Sequence, residues 1–252
     1  MALDNGNQGE GSPVAKRFLV FQHMSWEGPG QHLIRSARNA DVLLDIVEVW
    51  HQPVPDTTSC DGLMVLGGGP NVDQEGEYPF LKAEKAAIRQ VIKEDKPIIG
   101  FCLGHQLLAD VLGAKVGPNF CRSLGFVQGH LTKEGLEHQV FERMPGSLPL
   151  FKWHAQAVLP PLPKELKVLV TSPECEVEAF CLQGRPYVMG LQFDNHAATV
   201  SDIQRWVEAD RAWLRQSPRV DTAAIVQEAV RYEALMGQQF ECMFDGYVRL
   251  IL

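Results

Sequence analysis

The feature that most constrains the fold is an alternation of short apolar runs with segments of helical periodicity over the first 115 residues. Apolar runs predict buried strands, and apolar residues that recur every three or four positions predict helices with one buried face. The predicted strands are 17–23, 42–50, 62–69 and 96–101, and the predicted helices follow Pro29, span 78–95 and follow Gly104. Such alternation forms a mostly parallel sheet with helices on both faces, and ligand chemistry then gathers at the carboxyl ends of the strands.

The middle of the chain has a different texture. Between residues 120 and 193 the sequence consists of short β-rich pieces separated by turn residues, such as "LPPLP" at 159–163. These pieces predict antiparallel strands that extend the same sheet. The expected fold class is therefore α/β, with a mostly parallel sheet, an antiparallel extension and a helical appendage at the C-terminus.

The tail beyond residue 200 is predicted to be helical. Ser201 and Gln204 fit a capping box at its start, and Asp221 fits the N-cap of a last helix. We expect the aromatic side chains of this tail to pack on their own chain, with self-association as the alternative. The predicted organisation is a disordered leader over 1–16, one domain over 17–200 and C-terminal helices over 201–252 packed on that domain.

Composition excludes several classes of function. The 252 residues carry a net charge of −8, which argues against nucleic acid as a partner. No apolar run approaches the roughly 20 residues of a membrane span. The six cysteines contain no CxxC pair, which favours reduced thiols in the cytosol over disulfides or a zinc site. Metal and nucleotide motifs are also missing from the sequence, so we expect no cofactor.

Cys102 lies in "GFCLG", between an apolar run and a helical segment. This arrangement fits a nucleophile elbow, in which a strand turns sharply into a helix and flanking glycines avoid a collision at the bend. The helix N-terminus favours the thiolate, which is the reactive form of cysteine. We therefore predict that Cys102 is a nucleophile and the most reactive of the six cysteines, rather than a packing residue.

A second glycine cluster ends another predicted strand, in "LGGGPNV" at residues 66–72. The spacing is not that of a dinucleotide-binding loop. Glycines at a strand end can direct backbone N–H groups toward an oxyanion, which makes Gly68 and Gly69 candidates for that role. Taken alone, the segment is also typical of a simple glycine-rich turn.

The pair "GGGP" and "GFCLGHQLLADVLGAKV", with "KWHAQAV" and "VMGLQF", resembles the class I (triad-type) glutamine amidotransferases, in particular stand-alone domains similar to the amidotransferase part of GMP synthase. The resemblance covers about residues 17–200 and implies a flavodoxin-like domain that hydrolyses the side-chain amide of glutamine. By this resemblance Cys102 attacks the amide, and the N–H groups of Leu103 and Gly69 hold the oxyanion. Gln106 and His154 match positions that contact substrate, although Ala155 and Gln156 differ from the family beside His154.

The sequence departs from the family at the end of the last core strand. The family has "QFHPE" or a close variant there, which supplies the catalytic His and its orienting Glu, whereas this chain reads "QFDNH". One hypothesis is a dyad in swapped order, with His196 acting on Cys102 and Asp194 orienting it; both face one side if the chain is extended. Because the two positions are roughly 6–7 Å apart along a strand, that dyad needs a local shift. The other hypothesis is altered or lost activity, since an aspartate beside a thiolate raises its pKa.

Three functions remain open from the sequence. The first is hydrolysis of glutamine, or of a related γ-glutamyl compound, with ammonia passed to an acceptor synthetase in trans, because the domain pattern contains no synthetase. The second is a catalytically degenerate domain that binds a small amide or a protein partner. The third is a cysteine hydrolase acting on another γ-glutamyl or peptide substrate. The oligomeric state is not predicted.

Overall fold

The computed structural model describes residues 15–217 and 220–251 of the chain. The first half alternates strands and helices as predicted. Its elements are β1 (Lys16–Gln22), α1 (Gly30–Asn39), β2 (Val42–Glu48), β3 (Gly62–Val65), α2 (Phe80–Lys93), β4 (Ile98–Phe101) and α3 (Leu103–Val111). The disordered leader predicted over 1–16 lies mostly outside the described residues, and its last residue, Lys16, is the first of β1.

The second half begins with strands and ends with helices. Its elements are β5 (Lys115–Leu131), α4 (Lys133–Leu136), β6 (Ser147–Leu159), β7 (Leu166–Ser172), β8 (Cys175–Leu182), β9 (Arg185–Leu191), α5 (Val200–Ala209), α6 (Arg211–Leu214) and α7 (Thr222–Val248). Two 3₁₀ turns, Gln139–Phe141 and Asn195–Ala197, join these elements. None of the described helices combines the length and the apolar character needed to cross a membrane.

The described strands form one sheet in the order β2-β1-β3-β4-β9-β8-β7-β5-β6. The pairs from β2 through β9 are parallel, and the pairs from β9 through β6 are antiparallel. This arrangement confirms the predicted α/β fold with an antiparallel extension. The carboxyl ends of β3, β4 and β9 lie side by side, and they position the segments that the sequence singles out.

Both faces of the parallel strands are buried. Phe18 and Val20 of β1 point to one face, where α1 and α7 cover them, and Leu19 and Phe21 point to the other face, where α2 and α3 cover them. The alternation arises because successive side chains of a strand point to opposite sides. A strand buried on both faces is therefore apolar throughout, as the predicted runs are.

The C-terminal helices pack on the same chain. Trp206, Phe240, Phe244 and Tyr247 are each 1% exposed, in agreement with the expectation that the tail aromatics pack internally. Asp221 caps α7 as predicted, by accepting hydrogen bonds from the N–H groups of the helix's second and third residues at 2.9 and 3.1 Å.

The cap of α5 differs from the prediction. Thr199, not Ser201, is the N-cap, and its hydroxyl accepts a hydrogen bond from the N–H of Asp202 at 3.1 Å. The helix begins earlier than the capping-box pattern indicated, because the chain has already turned through the 3₁₀ segment that follows β9. Ser201 is consequently the second residue of the helix.

Candidate functional site

Cys102 occupies a sharp turn between β4 and α3. Its backbone has φ 47° and ψ −105°, in the left-handed region that non-glycine residues adopt at a cost of about 1–3 kcal/mol. The turn is held by the Cys102 N–H, which donates to the Leu191 carbonyl at 2.9 Å. A Cβ on Gly100 would lie 2.4 Å from the Gly104 carbonyl, and one on Gly104 would lie 2.0 Å from the Val65 carbonyl oxygen. The flanking glycines are therefore required by close packing at the bend.

The glycine loop after β3 is held beside the elbow by a buried histidine. His23 Nδ1 donates to the Gly67 carbonyl at 2.8 Å, and His23 Nε2 lies 2.9 Å from Glu84 Oε1. Burial alone would lower the pKa of His23, but the ion pair with Glu84 outweighs it and the pKa is raised. A Cβ on Gly68 would lie 2.7 Å from the His23 Cβ. The packed histidine, hydrogen-bonded to Gly67 and paired with Glu84, thus fixes the path of the loop.

A cavity of about 200 Å³ opens beside Cys102. The residues predicted to hold the oxyanion or substrate all line it, namely Gly68, Gly69, Leu103, Gln106 and His154. The Gln106 side-chain amide donates to the Gln156 carbonyl at 3.0 Å and to Gln192 Oε1 at 3.1 Å. The structure therefore brings this part of the predicted site together around the thiol, and the individual roles remain predictions.

The thiol lies against a carboxyl group. Cys102 is 7% exposed and Asp194 is fully buried. Burial, Asp194 and Glu27 raise the pKa of the Cys102 thiol well above its usual value, against the opposing effects of Lys152 and the Leu103 N–H. Burial also raises the pKa of Asp194 well above its usual value. The thiol is consequently protonated at neutral pH, which is its less reactive form.

His196 does not reach the thiol. The chain leaves the extended conformation at Asp194, with φ −108° and ψ 39°, and enters a 3₁₀ turn. The imidazole packs edge-on against Phe101, with ring centroids 4.5 Å apart, and burial lowers its pKa to about 3. Its Nε2 lies 3.7 Å from Asp194 Oδ1, so the carboxyl group stands nearer the thiol and the imidazole lies behind it. Neither ring nitrogen of His196 forms a hydrogen bond within the described part of the chain, which does not favour the swapped dyad, and the roles of His196 and Asp194 stay predictions.

Asn195 explains why the turn takes this direction. Its Oδ1 accepts a hydrogen bond from the Phe151 N–H at 2.8 Å, and its Nδ2 donates to the Pro149 carbonyl at 3.1 Å. The Asp194 N–H donates to the Phe151 carbonyl at 2.8 Å. These bonds fasten the segment to β6. Sequence reasoning missed Asn195, because its partners lie on a strand that is distant in sequence.

Glu27 is the second residue that sequence reasoning missed. It lines the cavity and is 7% exposed. Burial, with Asp194 and Asp210 nearby, raises the pKa of Glu27 to about 8. Asp210 lines the same cavity from the end of α5. Residues 27 and 210 are distant in sequence from the elbow, so no local pattern points to either of them.

His154 is buried and neutral. Its Nδ1 lies 2.8 Å from the Gln156 carbonyl oxygen, and since a carbonyl only accepts, Nδ1 carries the proton. Burial, with Lys152 nearby, lowers its pKa well below the usual value. His154 is therefore a fixed, uncharged group at the cavity edge.

A potential metal-binding cluster lies behind the cavity. His154, Cys175 and Glu178 have ligand-type atoms within 4.8 Å of one another. Glu178, however, forms a buried ion pair with Lys152 and accepts a hydrogen bond from Ser172 at 2.6 Å. The negative charge that would attract a metal ion is thus already compensated, and the cluster is better described as a buried polar network.

The elbow, the glycine loop and the sheet order define a class of protein. A sequence model of the family described as "Glutamine amidotransferase class-I" matches residues 29–195, and the chain belongs to this family. The prediction made from "GGGP" and "GFCLG" is confirmed at that level.

Individual relatives agree with this assignment. The chain is 32% identical over 179 residues to a protein of Archaeoglobus fulgidus that is named as one subunit of a glutamine-hydrolyzing GMP synthase, a match that covers 71% of this chain and 87% of that protein. The protein of the same name from Methanothermobacter thermautotrophicus is 30% identical over 157 residues, 60% of this chain and 77% of its own. A crystal structure of a Thermotoga maritima glutamine amidotransferase superposes with a TM-score of 0.82 at 25% identity, over 93% of this chain and 98% of the other.

Proposed function

We propose that the chain binds the carboxamide of glutamine, or of a related γ-glutamyl compound, at the Cys102 elbow and hydrolyses it poorly or not at all at neutral pH. The observation that carries the proposal is the carboxyl group of Asp194 beside the Cys102 thiol, where the family has an imidazole. Membership of the amidotransferase family supports an amide ligand. The altered segment at 194–196 supports binding without efficient turnover.

Backbone and side-chain groups around the thiol support the binding half of this proposal. The Leu103 N–H faces the sulfur, and Gly68 and Gly69 line the same cavity, with Gly68 close to the Leu103 side chain. Backbone N–H groups in this position would receive the carbonyl oxygen of an amide. Gln106 lines the same cavity, and its side chain is held in place by two hydrogen bonds. These groups need no proton transfer in order to bind a carboxamide.

The proton-transfer half is altered. A nucleophilic cysteine is normally activated by an adjacent base, and no imidazole of the described residues forms a hydrogen bond with the thiol. The nearest titratable groups are acidic, and they raise the thiol pKa instead of lowering it. A group with the opposite effect on the pKa cannot replace the family's histidine. We infer that the native protein retains a glutamine-type ligand longer than a functioning amidotransferase would.

Hydrolysis is the second candidate, and Glu27 is the observation that favours it. A carboxyl group with a pKa of about 8 is partly ionised near neutral pH and lies in the cavity with the thiol. At mildly alkaline pH the ionised Glu27 carboxylate could take the proton of the Cys102 thiol, as a general base of matched pKa does. Ammonia would then leave for an acceptor, and a separate synthetase chain would be required. A γ-glutamyl peptide or another γ-glutamyl compound is the alternative substrate.

The decisive experiment measures binding and turnover on the same preparations. Calorimetry gives the affinity for L-glutamine, and a coupled assay gives ammonia release, for the native protein and for Cys102→Ala. We expect binding by the native protein with ammonia release no greater than that of Cys102→Ala. Ammonia release by the native protein that disappears in Cys102→Ala would refute the proposal in favour of hydrolysis. A γ-glutamyl peptide assayed in parallel separates the two substrate classes.

A cytosolic location remains a prediction from cysteine usage. All six cysteines are free thiols in the structure, which agrees with a reducing compartment. The ammonia acceptor in trans also remains a prediction, and it applies only if the chain hydrolyses its ligand. Some relatives are named as one subunit of a synthase, which is consistent with a second chain supplying the synthetase.

A further inference from the structure

One wall of the cavity carries an acidic side chain without a partner. Glu27 is 7% exposed and lines the cavity. Among the residues that the structure describes, no side chain or backbone group donates a hydrogen bond to its carboxyl group and no cation pairs with it. Buried carboxyl groups are normally paired. The partner of Glu27 is therefore expected to come from a bound ligand.

A second acid and two indole rings complete this wall. Asp210 Oδ2 accepts a hydrogen bond from Trp153 Nε1 at 2.7 Å, which fixes the direction of the carboxylate. Trp213 lies next to Trp153, with ring centroids 6.2 Å apart, and both rings line the cavity. On the outside, Arg122 stacks over Trp213 at 5.3 Å and donates to its carbonyl at 3.3 Å. These contacts hold the Asp210 carboxyl group and the two indole rings in place.

We propose that Glu27 and Asp210, together with the indoles of Trp153 and Trp213, form a subsite for a protonated amine. The cleft then selects carboxamides that carry an ammonium group over anionic carboxamides. This inference rests on the proposed binding of an amide at Cys102 and adds the charge of the ligand. Glu27, Asp210 and Trp213 all lie outside the residues matched to the family, 29–195.

The charge of the cavity supports an ammonium group over a carboxylate. Two carboxyl groups line the cavity, and no lysine or arginine of the described chain does so. The nearest buried ammonium, that of Lys152, is paired with Glu178, and His154 is neutral. An anionic end of a ligand would therefore find no lysine or arginine among the lining residues. An ammonium group would meet carboxylate acceptors and the faces of aromatic rings, which attract cations.

The test compares three ligands with the same carboxamide chain and different charge. L-glutamine α-amide is a cation, L-glutamine is a zwitterion, and glutaramic acid, which lacks the amine, is an anion. Calorimetry on the native protein at pH 7.5 and 0.15 M salt gives their dissociation constants. We expect the cation to bind at least about tenfold more tightly than the anion, a ratio that corresponds to about 1.4 kcal/mol, with glutamine between them.

Variants assign the preference to residues. Glu27→Gln and Asp210→Asn keep the shape and remove the carboxyl group that a bound ammonium would stabilise as a carboxylate, and each is expected to reduce the ratio of cation to anion affinity to about threefold or less. Glu208→Gln is the matched control. Glu208 is an exposed acid on α5, close in sequence to Asp210, and its carboxylate pairs with Arg211. It should leave the ratio unchanged, and thermal melting verifies that each variant is folded.

The outcomes separate this inference from the proposed function. Equal affinity of the native protein for all three amides would overturn the ammonium subsite and leave amide binding in place. A preference for the cation that survives in both Glu27→Gln and Asp210→Asn would overturn the assignment to these residues. If none of the three amides binds, the proposed function fails and the subsite fails with it.

Discussion

Restoring histidine and glutamate at positions 194 and 196 is expected to turn the Cys102 thiol into a thiolate near neutral pH. The change is the double variant Asp194→His with His196→Glu. Position 194 faces the thiol and position 196 lies behind it, with the two side chains 3.7 Å apart in the native protein. The variant therefore places an imidazole against the sulfur and a carboxylate where it can orient the ring and stabilise its charged form.

The size of the effect follows from the charges. With the ordinary thiol pKa of 9.0, at most about 3% of Cys102 would be thiolate at pH 7.5, and the native value is lower because its pKa is raised. An imidazolium about 4 Å from the sulfur, at an effective dielectric constant of about 20, favours the thiolate by about 4 kcal/mol. That energy corresponds to about three pKa units. The thiol pKa should therefore fall by at least this amount.

The assay is the pH dependence of alkylation. Iodoacetamide labelling of the Cys102 peptide is followed by mass spectrometry from pH 5 to 10, and the midpoint gives the pKa. The midpoint is preferred to the rate, because the intrinsic nucleophilicity of a thiolate falls as its pKa falls. Cys242, which is partly exposed, serves as the internal reference. At pH 7.5 Cys242 should react faster than Cys102 in the native protein, contrary to the expectation from the elbow motif alone.

Two results would refute this reasoning. One is a native midpoint at or below about pH 8, which would show that Asp194 does not keep the thiol protonated. The other is a folded double variant with the native midpoint. Asp194→His alone is the control for the second position, and its midpoint should fall by less, because the carboxylate behind the ring is missing. Ammonia release that appears only in the double variant would identify these two positions as the cause of the lost turnover.

Three further predictions concern stability. Between pH 6.5 and 8 the unfolded chain has Glu27 ionised, while most of the folded protein keeps this proton. The free energy of unfolding should therefore fall with rising pH by up to about 1.4 kcal/mol per pH unit from this group. Urea titrations should show a smaller dependence of the unfolding free energy on pH in Glu27→Gln than in the native protein, and equal dependences would contradict the assigned pKa. Gly104→Ala should lose about 2–3 kcal/mol or more, since its Cβ would lie 2.0 Å from a backbone oxygen, whereas Gly76→Ala, with nothing within 4 Å, should lose less than about 1 kcal/mol; equal losses would contradict the elbow packing. Lys152→Met should lose about 3–5 kcal/mol in calorimetry because it leaves Glu178 buried and unpaired, and most of the loss should be recovered when Glu178→Leu is added; a double variant no more stable than the single one would disprove that cause.

The elbow and the sheet could be predicted from sequence because their constraints are local. Gly100 and Gly104 flank Cys102 at the spacing that is typical of a nucleophile elbow. In the structure, a side chain at either glycine would collide with the backbone. The apolar runs of β1 and β4 are buried on both faces, so their composition alone indicated strands inside a parallel sheet. Features that are determined by adjacent residues can be predicted from a single sequence.

The direction of the 194–196 segment could not be predicted because it depends on a distant strand. Sequence reasoning treated the chain there as extended, which would place Asp194 and His196 on one side. In the structure the side chain of Asn195 bonds to the backbone of β6, and that contact turns His196 toward Phe101. The same limit applies to Glu27 and Asp210, which reach the cavity from opposite ends of the chain.

The altered segment separates two requirements that a hydrolytic site normally combines. Binding an amide needs a rigid array of backbone donors, and here the strained conformation of Cys102 is kept at a cost of about 1–3 kcal/mol. Turnover also needs a base that lowers the thiol pKa, and here a buried carboxyl raises it. A chain can keep amide binding without turnover if the elbow serves to position the Leu103 N–H rather than to expose a nucleophile. On that argument, the affinity of Cys102→Ser for glutamine should stay within about threefold of the native value, a change of less than about 1.4 kcal/mol, which would be tenfold. Gly104→Ala should abolish binding of glutamine.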